Sequence, residues 1–231
     1  MFDGRVFLDA LFGWPLLQGA LVAFSLAVAV QLAATALCLG PASAASSRRA
    51  WARGAVGAYV WLFRGAPTLL VLLAVWNGLP QLIPALRADW YTPFLVAFLA
   101  LTSVQVAYST EVMRVAFASV PPGQREAAAA LGLHRLQAFR LVVLPQALRV
   151  AALRVAVPPL MNEFISPLKA TSLATVNSLR ELMTVTSYAI SASFRFLEWY
   201  VAVLIYHLGM VSVLTVLQRG LEARLSAGHR R

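Results

Sequence analysis

The chain has 231 residues, of which 60% are hydrophobic and only 12% are charged, and its mean hydropathy is +0.74. This composition excludes an ordinary water-soluble fold. The formal net charge is +10, but the basic residues, nearly all of them arginines, lie between long apolar runs, which indicates membrane topology rather than nucleic-acid binding. The chain is therefore predicted to be an all-α integral membrane protein.

Five segments are predicted to cross the membrane as helices, because about 20 apolar residues are needed to span a hydrocarbon core about 30 Å thick. In chain order they are residues 18–39, 65–86, 92–113, 150–175 and 199–218. The segment 150–175 is interrupted by Pro158, Pro159 and Pro167 and by charged residues, among them Glu163 and Lys169, so it is predicted to be a discontinuous span. Residues 1–231 together are predicted to form a single transmembrane domain.

The orientation of the chain is predicted from its basic residues, since cytoplasmic loops are enriched in Lys and Arg. With the N-terminus outside and the C-terminus in the cytoplasm, 14 of the 19 basic residues are cytoplasmic. These are Arg48, Arg49, Arg53, Arg64, Arg114, Arg125, Arg135, Arg140, Arg149, Arg154, Arg219, Arg224, Arg230 and Arg231. The same partition places a long cytoplasmic loop at about residues 115–149.

This loop has the pattern of a short helix, a break and a second helix. Pro121 and Pro122 favour a helix start, the following residues are strong helix formers, and Gly132 can adopt the positive φ that ends a helix. The alanines at 127–130 leave the first helix nearly bare, so that another protein can approach its backbone closely. An amphipathic helix lying on anionic lipid is the alternative, but it would normally carry bulky apolar anchors.

The second helix of the loop has its own pattern. Leu136, Phe139 and Val143 recur at helical spacing, which predicts that they pack against the membrane helices.

The loop also holds a set of residues at fixed spacing. Glu126-Ala127-Ala128 is followed by three residues and Gly132, then by nine residues, Val142, one residue and the pair Leu144-Pro145. This spacing resembles the EAA loop of ATP-binding cassette (ABC) importer permeases, in which Ile usually stands at the position of Val142. The resemblance implies the type I ABC importer permease fold and a set of ATPase-coupling residues, namely Glu126, Ala127, Ala128, Gly132, Leu144 and Pro145.

Two other stretches resemble the polar amino acid permeases of that family. They are Arg64-Gly65-Ala66-Pro67, and residues 162–166 followed by 169–173. The resemblance implies a permease for a polar amino acid or a related small zwitterion in the bacterial inner membrane. It also implies three protein partners, which are a cytoplasmic ATP-binding subunit, an extracytoplasmic solute-binding protein and a second permease in a homodimer or heterodimer.

A substrate path is predicted along the broken span, at Asn162, Glu163, Lys169, Thr171 and Ser172. Glu163 carries this prediction, because an ionisable group inside a membrane usually faces a partner or a water-filled path. A structural ion pair between Glu163 and Lys169 is the alternative interpretation.

Two other functions remain as alternatives. An ion-coupled secondary transporter or channel would leave the spacing of the EAA loop unexplained, and a membrane scaffold would leave Glu163 unexplained. A Walker A loop is ruled out because the only lysine, Lys169, follows Leu168, and the single Cys38 rules out an internal disulfide and a multi-cysteine metal site. No enzyme, metal site or cofactor is predicted. If transport is driven by ATP, another subunit must therefore supply the hydrolysis.

Overall fold

The computed structural model describes residues 2–47, 49–150 and 165–227, and within these ranges every regular element is helical. The first seven helices are α1 (Gly4–Phe12), α2 (Trp14–Leu37), α3 (Leu39–Ala45), α4 (Ala50–Gly65), α5 (Thr68–Leu73), α6 (Leu79–Leu82) and α7 (Pro93–Ala118). They are followed by α8 (Pro122–Ala130), α9 (Arg135–Ala138), α10 (Leu144–Val150), α11 (residues 165–170), α12 (Leu182–Ser193) and α13 (Phe196–Ala227). The prediction of an all-α protein is confirmed.

Shorter helical turns connect some of these elements. They are π turns at Ala74–Gly78 and Phe139–Val143, and 3₁₀ turns at Pro84–Arg87 and Thr171–Asn177.

Three helical segments of the described chain are long and apolar enough to cross a membrane, Trp14–Ala45, Pro93–Ala118 and Phe196–Leu217. The shortest has 22 residues, which at 1.5 Å per residue covers about 33 Å and is enough for the hydrocarbon core. A fourth span is present if α4 and the helical stretch 68–82 are counted together as one broken span. The protein is therefore a multi-pass membrane protein.

The uncharged run at residues 65–86 is not one continuous helix. The chain leaves the helical conformation at Ala66 and Pro67, where Pro67 has an extended ψ of 127° and lacks a backbone donor. Helix resumes at Thr68 and ends at Leu82, before Pro84. Of the run at residues 150–175, residues 151–164 lie outside the described residues. The count of five spans and their orientation therefore stay predictions.

The chain divides into two compact units that interleave along the sequence. Unit 1 comprises residues 1–33, 66–105 and 164–216, and unit 2 comprises residues 34–65, 106–163 and 217–231. Each unit has its own apolar core within the described residues.

Unit 1 is held together by close packing between α2 and α12. A Cβ atom built on Gly19 would lie 2.9 Å from Cα of Leu182 and 3.1 Å from the carbonyl carbon of Glu181. Leu182 is fully buried and packs with Leu16, Ala20 and other apolar side chains. The glycine therefore allows two backbones to approach more closely than any other residue would permit.

Replacing Gly19 with alanine should lower the stability of the protein. The new methyl group would collide with backbone atoms, which cannot move aside as a flexible side chain can, and overpacking of this kind costs about 1–3 kcal/mol. Gly40→Ala is the matched control, because a Cβ at Gly40 in α3 meets no atom within 4 Å. The melting temperature of purified Gly19→Ala should lie below that of the wild type, whereas that of Gly40→Ala should equal or exceed it. Equal melting temperatures would contradict the close contact.

The core of unit 2 surrounds the end of α7. Met113, Phe117 and Val120 are buried against Cys38 and Val143, and the ring of Phe117 meets that of Phe139 edge to face at a centroid distance of 5.4 Å. On the same unit, the guanidinium of Arg64 lies 5.1 Å from the ring centroid of Tyr108, a cation–π contact. The core thus positions the loop that follows α7.

Candidate functional site

The loop after α7 begins with a helix whose start is set by proline. The predicted start is confirmed, since α8 begins at Pro122, where the missing N–H is one of the donors that no helix satisfies internally. Helix α8 has nine residues, of which Ala128 is buried, while Glu126, Ala127 and Ala129 are exposed. Ala128 therefore packs against the rest of unit 2, and the neighbouring alanines leave a nearly bare backbone on the other side of the helix.

The end of α8 is a Schellman turn at Gly132. This residue has a φ of +76°. The amide of Leu133 donates to the carbonyl of Ala128 at 3.1 Å, and the amide of Gly132 donates to the carbonyl of Ala129 at 3.0 Å. A Cβ at Gly132 would meet no other atom within 4 Å, so only the backbone conformation requires glycine here. The predicted positive φ is confirmed. Leu131, which precedes the turn, is 81% exposed.

The second arm of the loop is α9, a π turn and α10. Val143 is buried and Phe139 packs against the same core, as the spacing predicted, but Leu136 is 53% exposed and that part of the prediction is wrong. Leu144 is half-buried and Pro145 is exposed. The six predicted coupling residues thus all lie in unit 2, on α8, on its terminal turn and at the start of α10.

Three of the five residues predicted to line a solute path are described by the structure. Asn162 and Glu163 fall outside the described residues. Lys169 is exposed at the end of α11, while Thr171 is buried and its hydroxyl donates to the carbonyl of Leu168 at 2.7 Å. The hydroxyl of Ser172 donates to the carbonyl of Lys169 at 2.8 Å. Both hydroxyls thus satisfy the backbone of their own segment, and the solute path stays a prediction.

Comparison with known proteins gives the family of the chain. Residues 36–227 match the family model described as "Binding-protein-dependent transport system inner membrane component". The chain belongs to this family. It is a permease subunit of a binding-protein-dependent ABC importer, and the resemblance seen in its sequence is confirmed.

Several curated relatives of this permease are amino-acid permeases. The probable amino-acid ABC transporter permease protein PatM of Vibrio harveyi is 38% identical over 74% of both chains. The octopine transport system permease protein OccM of Rhizobium radiobacter is 36% identical over 82% of this chain and 79% of its own. The glutamine transport system permease protein GlnP of Escherichia coli K12 is 35% identical over 72% of this chain and 73% of its own.

Solved structures have the same fold. The crystal structure of an amino acid ABC transporter with histidines superposes with a TM-score of 0.81 at 25% identity, over 97% of this chain and 99% of that one. An inward-facing structure of the MetNI methionine ABC transporter superposes with a TM-score of 0.69 at 17% identity, over 90% of this chain and 97% of that one. The family of permease subunits is not itself catalytic, and it implies an ATP-binding subunit beside this chain.

Sequence analysis missed a buried carboxylate in this permease. Glu181 is fully buried in unit 1 and caps the start of α12, where the amides of Thr184 and Met183 donate to its two oxygens at 2.7 and 2.8 Å. The hydroxyl of Thr184 donates to the same carboxylate at 3.0 Å. Burial raises the pKa of Glu181 above its ordinary value, although these hydrogen bonds act in the opposite direction. The carboxylate therefore has a structural explanation within the chain.

A second polar contact in the permease joins two membrane spans. The amide Nε2 of Gln105 on α7 donates to Oε1 of Gln31 on α2 at 3.0 Å, and both side chains are buried. Hydrogen bonds of this kind hold transmembrane helices together, since lipid offers their polar groups no other partner. The signal in the sequence was a glutamine in the middle of each of two apolar runs, at Gln31 and Gln105.

Replacing Glu181 with glutamine should change how stability depends on pH. Because the folded-state pKa is raised, the stability that this proton contributes is present below the ordinary value of 4.5 and is lost as pH rises through the folded pKa. The variant has no proton to lose at this position, so its melting temperature should fall less than that of the wild type as pH rises through this window. If the melting temperatures of the wild type and the variant instead change with pH in parallel, the pKa of Glu181 does not differ between the folded and unfolded states.

Proposed function

We propose that this permease carries a polar amino acid or a related small zwitterion across the bacterial inner membrane, driven by ATP hydrolysis in a cytoplasmic subunit that docks on α8. The observation that supports docking is the exposed, nearly bare side of α8 between Glu126 and the Schellman turn at Gly132. The nature of the solute is supported by the names of the relatives, which include permeases for glutamine, octopine and arginine.

Two more partners complete the proposal. In the three described spans, only 22% to 61% of the residues are buried within the chain. Much of their apolar surface is therefore available to other helices or lipid, which favours a pair of permeases around one path. An extracytoplasmic solute-binding protein would deliver the solute, and the term "binding-protein-dependent" in the family description supports this partner.

Copurification tests the proposal against its alternatives. The permease should retain an ATPase in mild detergent, and adding the loaded solute-binding protein should stimulate ATP hydrolysis in liposomes. A secondary transporter would instead carry solute without any ATPase. A scaffold would retain a partner and transport nothing, and either result would refute the proposal.

The proposed orientation has its own test. A reporter fused after Arg231 should be active only in the cytoplasm, and one fused at Asp89 only outside, because 14 of the 19 basic residues then face the cytoplasm. The membrane insertion of both fusions should be checked by fractionation. Activity of both reporters on the same side would rule out five spans with the N-terminus outside.

A further inference from the structure

The end of α7 has a carbonyl group that the chain continuing after it cannot satisfy. In a continuing helix, the N–H of residue 121 would donate to the carbonyl of Phe117, but that residue is Pro121 and has no N–H. Phe117 is 1% exposed, so its carbonyl has little access to water. The guanidinium Nη2 of Arg125, on α8, donates to this carbonyl at 3.1 Å. Arg125 therefore supplies the donor that Pro121 lacks.

Two other contacts connect the same parts of unit 2. The amide Nε2 of Gln146 on α10 donates to Oε1 of Gln124 on α8 at 2.8 Å. The rings of Phe117 and Phe139 join the end of α7 to the π turn of the second arm. The helix α7, the helix α8 and the second arm are thus connected in pairs, by a set of five residues that we name the loop frame: Phe117, Gln124, Arg125, Phe139 and Gln146.

Helix α8 depends on such contacts to hold its position. It has nine residues, below the roughly 12–15 that an isolated helix needs, and it begins with Pro122 and Gly123. Its C-terminal end is fixed by the buried Ala128 and the Schellman turn. The two hydrogen bonds of the loop frame hold its first turn, at Gln124 and Arg125.

We propose that Arg125 and the Gln124–Gln146 pair are positioning residues for energy coupling, which make α8 move together with α7 and α10 when the ATPase displaces it. The inference rests on the proposed function. Without these contacts α8 can rotate about its C-terminal turn, and ATP is then hydrolysed without moving the membrane helices. A role in folding alone would lower the amount of protein and leave the coupling unchanged.

The experiment measures solute transported per ATP hydrolysed in liposomes, normalised to the assembled complex. Arg125→Met keeps the apolar stem but removes the donor, and this ratio should fall about two- to tenfold, the effect expected of one net hydrogen bond. Arg125→Lys keeps a cationic donor and should recover most of the ratio. Arg140→Met, at an exposed arginine of the second arm outside the loop frame, is the matched control.

The glutamine pair is tested by introducing charged residues at both positions. Gln124→Glu combined with Gln146→Glu places two carboxylates together and should lower the ratio, whereas Gln124→Glu combined with Gln146→Lys forms an ion pair and should restore it. The comparison holds the size of the side chains nearly constant.

Hydrogen exchange gives a reading that does not need the ATPase. In the purified permease, loss of the contact at Arg125 should let the first turn of α8 fray, so the amides of residues 126–129, which bond to carbonyls of that turn, should exchange about two- to tenfold faster in Arg125→Met than in the wild type, while those of 132 and 133 in the Schellman turn stay unchanged. An unchanged ratio in Arg125→Met, or unchanged exchange, would overturn the inference. If the wild-type complex neither retains an ATPase nor transports solute, the proposed function fails, and exchange alone then decides whether the loop frame holds α8.

Discussion

Replacing Gly132 with aspartate should abolish transport while the permease remains in the membrane. At a φ of +76° a side chain costs about 1–2 kcal/mol of backbone strain, which weakens the turn that ends α8 without unfolding the protein. A Cβ at this position meets no atom of this chain within 4 Å, so the new carboxylate points outward, onto the surface proposed for the ATPase. The measurements are uptake into liposomes and retention of the ATPase during purification.

Three further variants separate strain from docking at this turn. Gly132→Asn has the same shape as aspartate and tolerates positive φ equally well, so it should retain more ATPase than Gly132→Asp. Gly132→Ala introduces strain without a polar group. Gly123→Ala, on the first turn of α8, has no contact within 4 Å and no positive φ, so uptake should be unchanged. Normal uptake in Gly132→Asp would refute the assignment of α8 as the docking helix.

The sequence predicted the loop well because its determinants are local. Pro122 and Gly132 fix the two ends of α8 through a missing donor and a positive φ, and neither effect needs a distant residue. The error at Leu136 concerns a residue in the first turn of α9, a helix of only four residues, where the chain has not yet reached the core that Phe139 and Val143 contact. A simple helical period does not contain that information.

Other features depended on geometry that composition and hydropathy do not record. Glu181 is buried because Gly19, more than 160 positions earlier, lets α2 reach the start of α12. The carbonyl of Phe117 needs Arg125 only because Pro121 lies between them, and Arg125 had been interpreted from its charge alone. The break at Ala66 and Pro67 divides an uncharged run that by hydropathy alone is one span. Hydropathy measures transfer into lipid and is blind to such local geometry.

The predicted substrate path depends on Glu163. Replacing Glu163 with glutamine should lower uptake at least about tenfold if the carboxylate contacts the solute. The variant keeps the size of the side chain and removes its charge, and a charge-assisted hydrogen bond is worth about 1.5–3 kcal/mol. Assembly of the complex and basal ATP hydrolysis should persist, because the predicted coupling residues lie on another part of the sequence. Uptake is normalised to the assembled complex.

Glu181→Gln is the matched control for this experiment, since it makes the same chemical change at a carboxylate whose role the structure explains. Glu181 accepts three hydrogen bonds at the start of α12, so its variant should lose stability while each folded complex transports normally. Glu163→Gln should show the opposite pattern, with stability kept and transport lost. Glu163→Gln could instead lower the melting temperature and leave normalised uptake unchanged. That result would support the alternative interpretation, a structural ion pair between Glu163 and Lys169, and the solute path would have to be sought at other residues.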